Sequence, residues 1–244
     1  MNAEESLSGE PEIDFDGIIS EYSWYEDEIT PKMFKDDLYS TGKNGPVTIR
    51  MNSGGGDVIA ASVIRSILAD YPGRVTMKVV GLAASAAVVI VLAADRILIQ
   101  DTAYMMIHDP AFVVFLAYLD IGTLKSWLAE LETIKQGIQD TYSSKTGIST
   151  ERISKMMSDT TWLSAHEAVK LGFADEVIGA GRDAAADTAA RAANTALLKN
   201  YVNVPASLLD AKVDEPVQET TVGQMTEEEQ RLADEINLSL VKRS

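Results

Sequence analysis

Apolar positions along this chain change period in a regular way, and the changes mark out its elements. Ile13, Phe15, Ile18 and Ile19 stand among acidic and small residues, which predicts a first strand over Ile13–Ser20. Thr30-Pro31 places a hydroxyl cap before a first-turn proline, and Met33, Phe34 and Leu38 recur at helical spacing. The β-branched run Val47-Thr48-Ile49-Arg50-Met51-Asn52 predicts a strand that ends abruptly in Ser53-Gly54-Gly55-Gly56-Asp57. Val58, Ile59, Val63, Ile67 and Leu68 then line one side of a helix over Val58–Ala69, stopped by Tyr71-Pro72-Gly73. Val75–Val80 is the next strand, and it feeds the small-residue elbow Gly81-Leu82-Ala83-Ala84-Ser85-Ala86-Ala87 and an apolar helix from about Ser85 to Ala94.

Arg96–Ile99 and Tyr104–Ile107 predict two more short strands, the second running into His108. Leu124, Trp127, Leu128, Leu131, Ile134 and Ile138 carry the stripe of a long amphipathic helix over Leu119–Lys145, with Gly147 as its stop. Ser149 caps a shorter helix through Met157. Ser164-Ala165-His166-Glu167 reads as a capping box for a helix over Ala165–Leu171, and Gly172–Ile178 as a last strand. Alternation of apolar strands with helices predicts a parallel, layered α/β domain. The longest apolar run, Ala83–Ala94, falls well short of the roughly 20 residues a bilayer-spanning helix needs, and reads as a buried core helix.

Composition narrows the functions open to such a domain. Thirty-seven acidic against 21 basic residues give a net charge of −16, which repels a phosphate backbone and argues against nucleic acid as a partner. The absence of cysteine excludes disulfides and thiolate metal sites, and fits a reducing cytosol. No cofactor or metal motif stands out, and no lysine-containing phosphate-binding pattern surrounds the triple glycine, so any ATPase would be a separate protein. Residues 1–12 read as a disordered acidic lead without the features of a secretory signal, 13–181 as the compact domain, and 182–244 as a partly helical or disordered tail. Within that tail, Ala184–Leu198 is alanine-rich, and Met225–Val241 carries Leu232, Ile236 and Leu240 on one stripe.

With no cysteine and only two histidines, acyl-transfer chemistry has few residues to draw on. Ser85 sits where a strand turns into a helix, which exposes its hydroxyl and aims helix N-terminal N–H groups at any anion formed there. Met106-Ile107-His108-Asp109-Pro110 follows with a histidine that could serve as base. Each residue also has a plainer reading: Ser85 as a helix cap, His108 as a core or surface histidine, the glycines as a tight turn, and His166 as a solvated first-turn residue. Asp109 would point away from the neighbouring imidazole in an extended segment.

In order and spacing, Asn52-Ser53-Gly54-Gly55-Gly56-Asp57, Gly81–Ala86, Met106–Pro110 and Trp162-Leu163-Ser164-Ala165-His166-Glu167-Ala168-Val169-Lys170-Leu171-Gly172-Phe173-Ala174-Asp175 resemble the Clp protease proteolytic subunit family over roughly Ile13–Ile178. The double methionine before His108 and Trp162 resemble its phage and prophage branch, which matures capsids. The resemblance implies a crotonase-like (ClpP-type) layered sheet of repeated βαβ units, with the long helix projecting to contact other subunits. It implies Ser85 as nucleophile, His108 as general base, and the Gly55 and Ala86 N–H groups as the oxyanion hole. It further implies a peptide substrate held as an added strand near Gly54, Gly56, Phe112 and Val113. At the position of the usual third acid stands Thr160, preceded by Asp159; either of them, or a water, would orient His108. Proline is common in the family where Gly54 stands here.

The expected function is therefore a serine endopeptidase processing phage capsid or scaffold proteins, assembled as a homo-oligomeric ring, a heptamer or stacked rings, in the bacterial cytoplasm or a procapsid, with no membrane partner. The alternatives are a catalytically weak ring acting as a scaffolding protein, which Thr160 favours, and an acyl-coenzyme A enzyme of the same fold, which would place carboxylates at the oxyanion hole.

Overall fold

The computed structural model describes residues 3–5, 10–23, 28–114, 118–179 and 204. The tail helices expected over Ala184–Leu198 and Met225–Val241 lie outside the described residues. β2 (Pro11–Asp16), β5 (Val47–Ser53), β6 (Val75–Ala84) and β7 (Arg96–Gln100) pair in parallel in that order, with β10 (Glu176–Ile178) parallel on the far side of β7. Three consecutive crossovers build this sheet: α1 (Pro31–Gly42), α2 (Val58–Asp70) and α3 (Ala86–Val91) each link two of its neighbouring strands. The predicted βαβ repetition is thus the fold's framework. Ala3–Glu5, inside the segment whose composition suggests a disordered lead, forms β1 and pairs antiparallel with β2.

Local chemistry explains most boundaries. Thr30 Oγ1 accepts the Met33 N–H at 3.2 Å and Pro31 opens α1; Asp57 caps α2 through the Ala60 N–H at 2.7 Å. Gly147, left-handed, closes α4 (Ile121–Thr146), Ser149 caps α5 (Thr150–Ser158), and both bonds of the Ser164–Glu167 capping box open α6 (Ala165–Lys170). Phe15, Phe34, Leu38, Ile49, Met51, Ile64, Met77 and Ile90 are fully buried in one continuous core, with the Phe15 and Phe34 rings edge-on at 5.6 Å.

Four expectations need correction. The strand predicted over Ile13–Ser20 breaks at Gly17 (φ 140°), and Ile18–Ile19 forms a separate strand, β3, parallel to β4 (Glu28–Ile29). α2 buries Ala60, Ala61, Ile64 and Leu68, while Ile59 and Val63 are exposed: apolar residues run nearly all round this helix, and the small alanine face permits the closest approach to its neighbours. β6 does not stop at Val80 but continues through the elbow to Ala84, so that the turn is made at Ser85 alone. Only Glu176–Ile178 of the predicted last strand is extended in a ladder.

β6 is the element that creates the site. Its first half pairs with β7, and its second half leaves β7 to pair in parallel with β8 (Tyr104–Ile107), which in turn pairs antiparallel with β9 (Thr161–Ser164). The register with β5 jumps between Met51↔Val79 and Ser53↔Ala83. Across that irregularity the buried Asn52 side chain substitutes for the ladder: its Oδ1 accepts the Leu82 N–H at 3.1 Å, and its Nδ2 donates to Asp16 Oδ1 at 3.1 Å. Asn52 therefore ties three parallel strands together immediately before the glycine loop.

Candidate active site

Ser85 occupies the end of the diverging half of β6 with φ 56° and ψ −123°, a conformation that costs a non-glycine residue on the order of 1–2 kcal/mol. Its surroundings hold it there. Its N–H donates to Met106 O at 2.8 Å, and its carbonyl accepts the Val88 N–H at 3.0 Å and the Tyr142 hydroxyl at 3.4 Å. Although it stands at the N-cap of α3, its side chain makes no capping bond. The hydroxyl lies 2.7 Å from His108 Nε2 instead. That removes the plain reading of Ser85 as a cap and of His108 as an uninvolved histidine.

Burial pushes the His108 imidazole below its ordinary value, and the charge of Asp109 offsets part of that shift. His108 is accordingly neutral at pH 7. With the proton on Nδ1, Nε2 accepts the Ser85 O–H, the arrangement needed to draw that proton away as the oxygen attacks. His166, by contrast, is exposed on α6.

The glycine loop closes over this pair. Gly55 has φ 97°, and a Cβ there would lie 2.7 Å from Ala84 O, 2.8 Å from Ser85 Cβ and 3.1 Å from Ala86 N. Gly55 and Ala86 are thus neighbours in space, as the sequence resemblance implies. Ala86 opens α3, so its N–H has no acceptor within the helix. The Gly55 N–H donates to Ser53 Oγ at 3.1 Å, and Ser53 Oγ donates to Gly17 O at 2.6 Å. An oxyanion would have to share the Gly55 donor with Ser53.

The loop's edges are also partly committed. Gly55 O accepts the Ile19 N–H at 2.9 Å, and the Asp57 N–H donates to Ile19 O at 2.8 Å. In this parallel bridge between Ile19 and Gly56, the main-chain groups of Gly56 itself project from the opposite edge, where an added strand can reach them. Gly56 (φ 141°) must be glycine, since a Cβ would lie 2.1 Å from Ile19 O. After the histidine segment, the Phe112 ring lies tilted against Trp127 of α4 with centroids 5.5 Å apart, and Val113 is fully exposed.

The two candidates for the third member of the constellation, Asp159 and Thr160, lie between α5 and β9. Antiparallel pairing runs Tyr104↔Ser164, Met105↔Leu163, Met106↔Trp162 and Ile107↔Thr161, and His108 and Thr160 are the next residues beyond the last pair of this ladder. Thr160 is left-handed (φ 51°), with its N–H bonded to Met157 O. The Asp159 carboxylate is half-exposed and pairs with Lys155 Nζ at 2.6 Å. Asp109 joins a separate cluster with Lys135 and Ser158.

Three participants escape sequence reasoning. Asn52 could be found only through a register shift that no pattern announces. Tyr142 sits in the stripe of α4 but is buried beneath the elbow, its ring edge-on to Phe173 at 5.8 Å. Val204 packs on Leu82, Ala84 and Met106, beside Tyr104 and Trp162, on the second face of the strands that carry the site.

A strained serine at a strand-to-helix turn, in contact with a neutral histidine and roofed by a glycine loop, defines a serine hydrolase of ClpP-type fold. Comparison with known proteins agrees: the family profile of Clp protease matches residues 16–181, and the chain belongs to that family. It is 31% identical over 160 residues to the ATP-dependent Clp protease proteolytic subunit 1 of Chlamydia muridarum (strain MoPn / Nigg), covering 62% of this chain and 78% of that protein. It is 30% identical over 144 residues to the ATP-dependent Clp protease proteolytic subunit 2 of Thermobifida fusca (strain YX), covering 58% and 69%. Among solved structures, a point mutant of ClpP1 from Listeria monocytogenes superposes with a TM-score of 0.59 at 28% identity, covering 70% of this chain and 92% of that one. Family membership makes this a serine-type peptidase. No helix among the described residues is long and apolar enough to cross a membrane.

Proposed function

We propose that this chain is a serine endopeptidase that processes capsid or scaffold proteins of a phage or prophage head, working as a homo-oligomeric ring in the host cytoplasm or the procapsid. The observation that carries the chemistry is the 2.7 Å contact between Ser85 Oγ and His108 Nε2 at a strained turn. Ser85 Oγ attacks the scissile carbonyl while His108 takes its proton. The Ala86 N–H, with the Gly55 N–H shared from Ser53, holds the oxyanion. Collapse breaks the C–N bond as His108 returns the proton to the leaving amine, and water, deprotonated by His108, then hydrolyses the ester at Ser85.

Peptide enters as a strand between Gly56 on one side and Phe112–Val113 on the other. Support for the ring comes from the first half of α4, where Ile121, Leu124 and Leu128 are exposed together with Val113 and Tyr118. The capsid substrate rests on Met105-Met106-Ile107-His108 and Trp162-Leu163 as motifs of the phage branch. Co-expression with phage capsid and scaffold precursors tests this reading: shortened capsid or scaffold masses with the unaltered chain and full-length masses with Ser85→Ala support it, and identical masses in both refute it. A catalytically weak scaffold is the second reading, favoured by Thr160 at the position where the family resemblance implies an acid.

A further inference from the structure

A carboxylate stands directly beside the candidate base in sequence and is held by two other segments. Asp109 follows His108 directly, and its two oxygens lie 2.8 and 2.9 Å from Lys135 Nζ on α4. Ser158 Oγ, in the last turn of α5, donates to Asp109 Oδ2 at 2.9 Å and receives Lys135 Nζ at 3.0 Å. The three groups thus close a ring of hydrogen bonds joining three segments. Lys135 and Tyr142 are seven residues apart, two turns, so the same face of α4 that reaches Asp109 also reaches the Ser85 carbonyl through Tyr142. Both catalytic segments are fastened to one helix.

We propose that Asp109, clamped by Lys135 and Ser158, is a positioning carboxylate of this site, fixing the segment that carries His108. The proposal rests on the reading of Ser85 and His108 as nucleophile and base. In an extended segment the Asp109 side chain leaves on the side opposite the ring, and the clamp explains what it does there. Its charge acts over one residue's separation in a partly buried setting, where Coulomb attraction persists. Lys135 both holds the carboxylate and neutralises part of its field. Among the described residues, charged groups on elements near the site include Lys135 on α4, Lys155 and Asp159 paired at the end of α5, and Asp57, whose carboxylate caps α2 after the glycine loop.

Charge and clamp make opposite demands, which separates them experimentally. With carbon-13-labelled histidine in the full chain, His108 and His166 are the only two signals, and His108→Ala assigns them. Asp109→Asn removes the charge and lowers the His108 titration midpoint by about half a pH unit or more. Lys135→Met leaves the charge unneutralised and raises it. Labelling of Ser85 by a fluorophosphonate slows about tenfold in each. The swapped pair Asp109→Lys with Lys135→Asp restores the ion pair and the melting temperature, but lowers the midpoint further. Midpoints that stay fixed, or that move the same way in both single variants, overturn the assignment even in an active enzyme. Should Asp109→Asn fail to fold, Lys135→Met and Ser158→Ala carry the test. An unaltered chain that never labels overturns the hydrolase reading and leaves the midpoint test standing.

Discussion

Gly55→Ala is the perturbation for which the structure gives the sharpest magnitude. The new Cβ would stand 2.7 Å from Ala84 O and 2.8 Å from Ser85 Cβ, against the 3.5–4.0 Å or so of a comfortable contact, so loop and elbow must part by about 1 Å. The left-handed φ of 97° adds roughly 1–2 kcal/mol of strain for any L side chain. Together these imply about 2–3 kcal/mol of lost stability, or a melting temperature lower by roughly 4–12 °C in a domain of this size. The effect on catalysis is larger, since a 1 Å displacement of the loop misplaces the Gly55 N–H; loss of one oxyanion donor lowers kcat by about 10²–10³-fold. Hydrolysis of a fluorogenic peptide alongside scanning calorimetry reads both quantities. Gly137→Ala is the control: no atom lies within 4 Å of its Cβ position in the middle of α4, so activity should hold and the melting temperature should stay level or rise. Wild-type turnover in Gly55→Ala would refute the placement of this loop over Ser85.

Other perturbations separate the remaining parts. Asn52→Leu strips the Leu82 N–H and Asp16 of buried partners, and chemical denaturation should show a loss of about 3 kcal/mol; a loss under 1 kcal/mol would mean the strands are not joined through this side chain. Thr160→Asp puts an acid where the family resemblance implies one, at a left-handed residue that Asp tolerates better than a β-branched one, and Ser85 labelling should accelerate about tenfold; an unchanged rate would place Thr160 outside the reach of the imidazole. Because burial lowers the His108 midpoint, the rate of labelling should stay above half its maximum at pH 6.5 and fall further at lower pH. The unfolded chain binds the proton more readily than the folded one, so this group's contribution to stability is complete above about pH 6.5 and is lost as pH falls below it; His108→Ala should flatten that slope in denaturation curves taken from pH 7 to 5.

The helices were legible because their ends carry side-chain chemistry. Thr30, Asp57, Ser149 and the Ser164–Glu167 box each form the cap that the residue type announces. Strand limits were less legible where tertiary pairing sets them: β6 runs to Ala84 because β8 offers a partner for its second half, and nothing in Gly81–Ala84 says so. The buried face of α2 was misread for a related reason, since an apolar count favours Ile59 and Val63 over the alanines that fit the neighbouring helices. Ser85 and His108 could be paired through the family resemblance that their motifs carry, and the structure brings them into contact. The setting of the pair could not be read in the same way. Tyr142, Asn52, and the Asp109–Lys135–Ser158 cluster join residues 23 to 57 positions apart, and their roles arise only once the sheet has forked.

Intact-mass analysis after fluorophosphonate treatment reaches the central claim most directly, comparing the unaltered chain with Ser85→Ala and His108→Ala at pH 7. One adduct per chain that disappears in Ser85→Ala, and forms at least about 10²-fold more slowly in His108→Ala, is the expected result. An unlabelled, folded wild-type chain, or an adduct that survives Ser85→Ala, would contradict the assignment of Ser85 as an activated nucleophile.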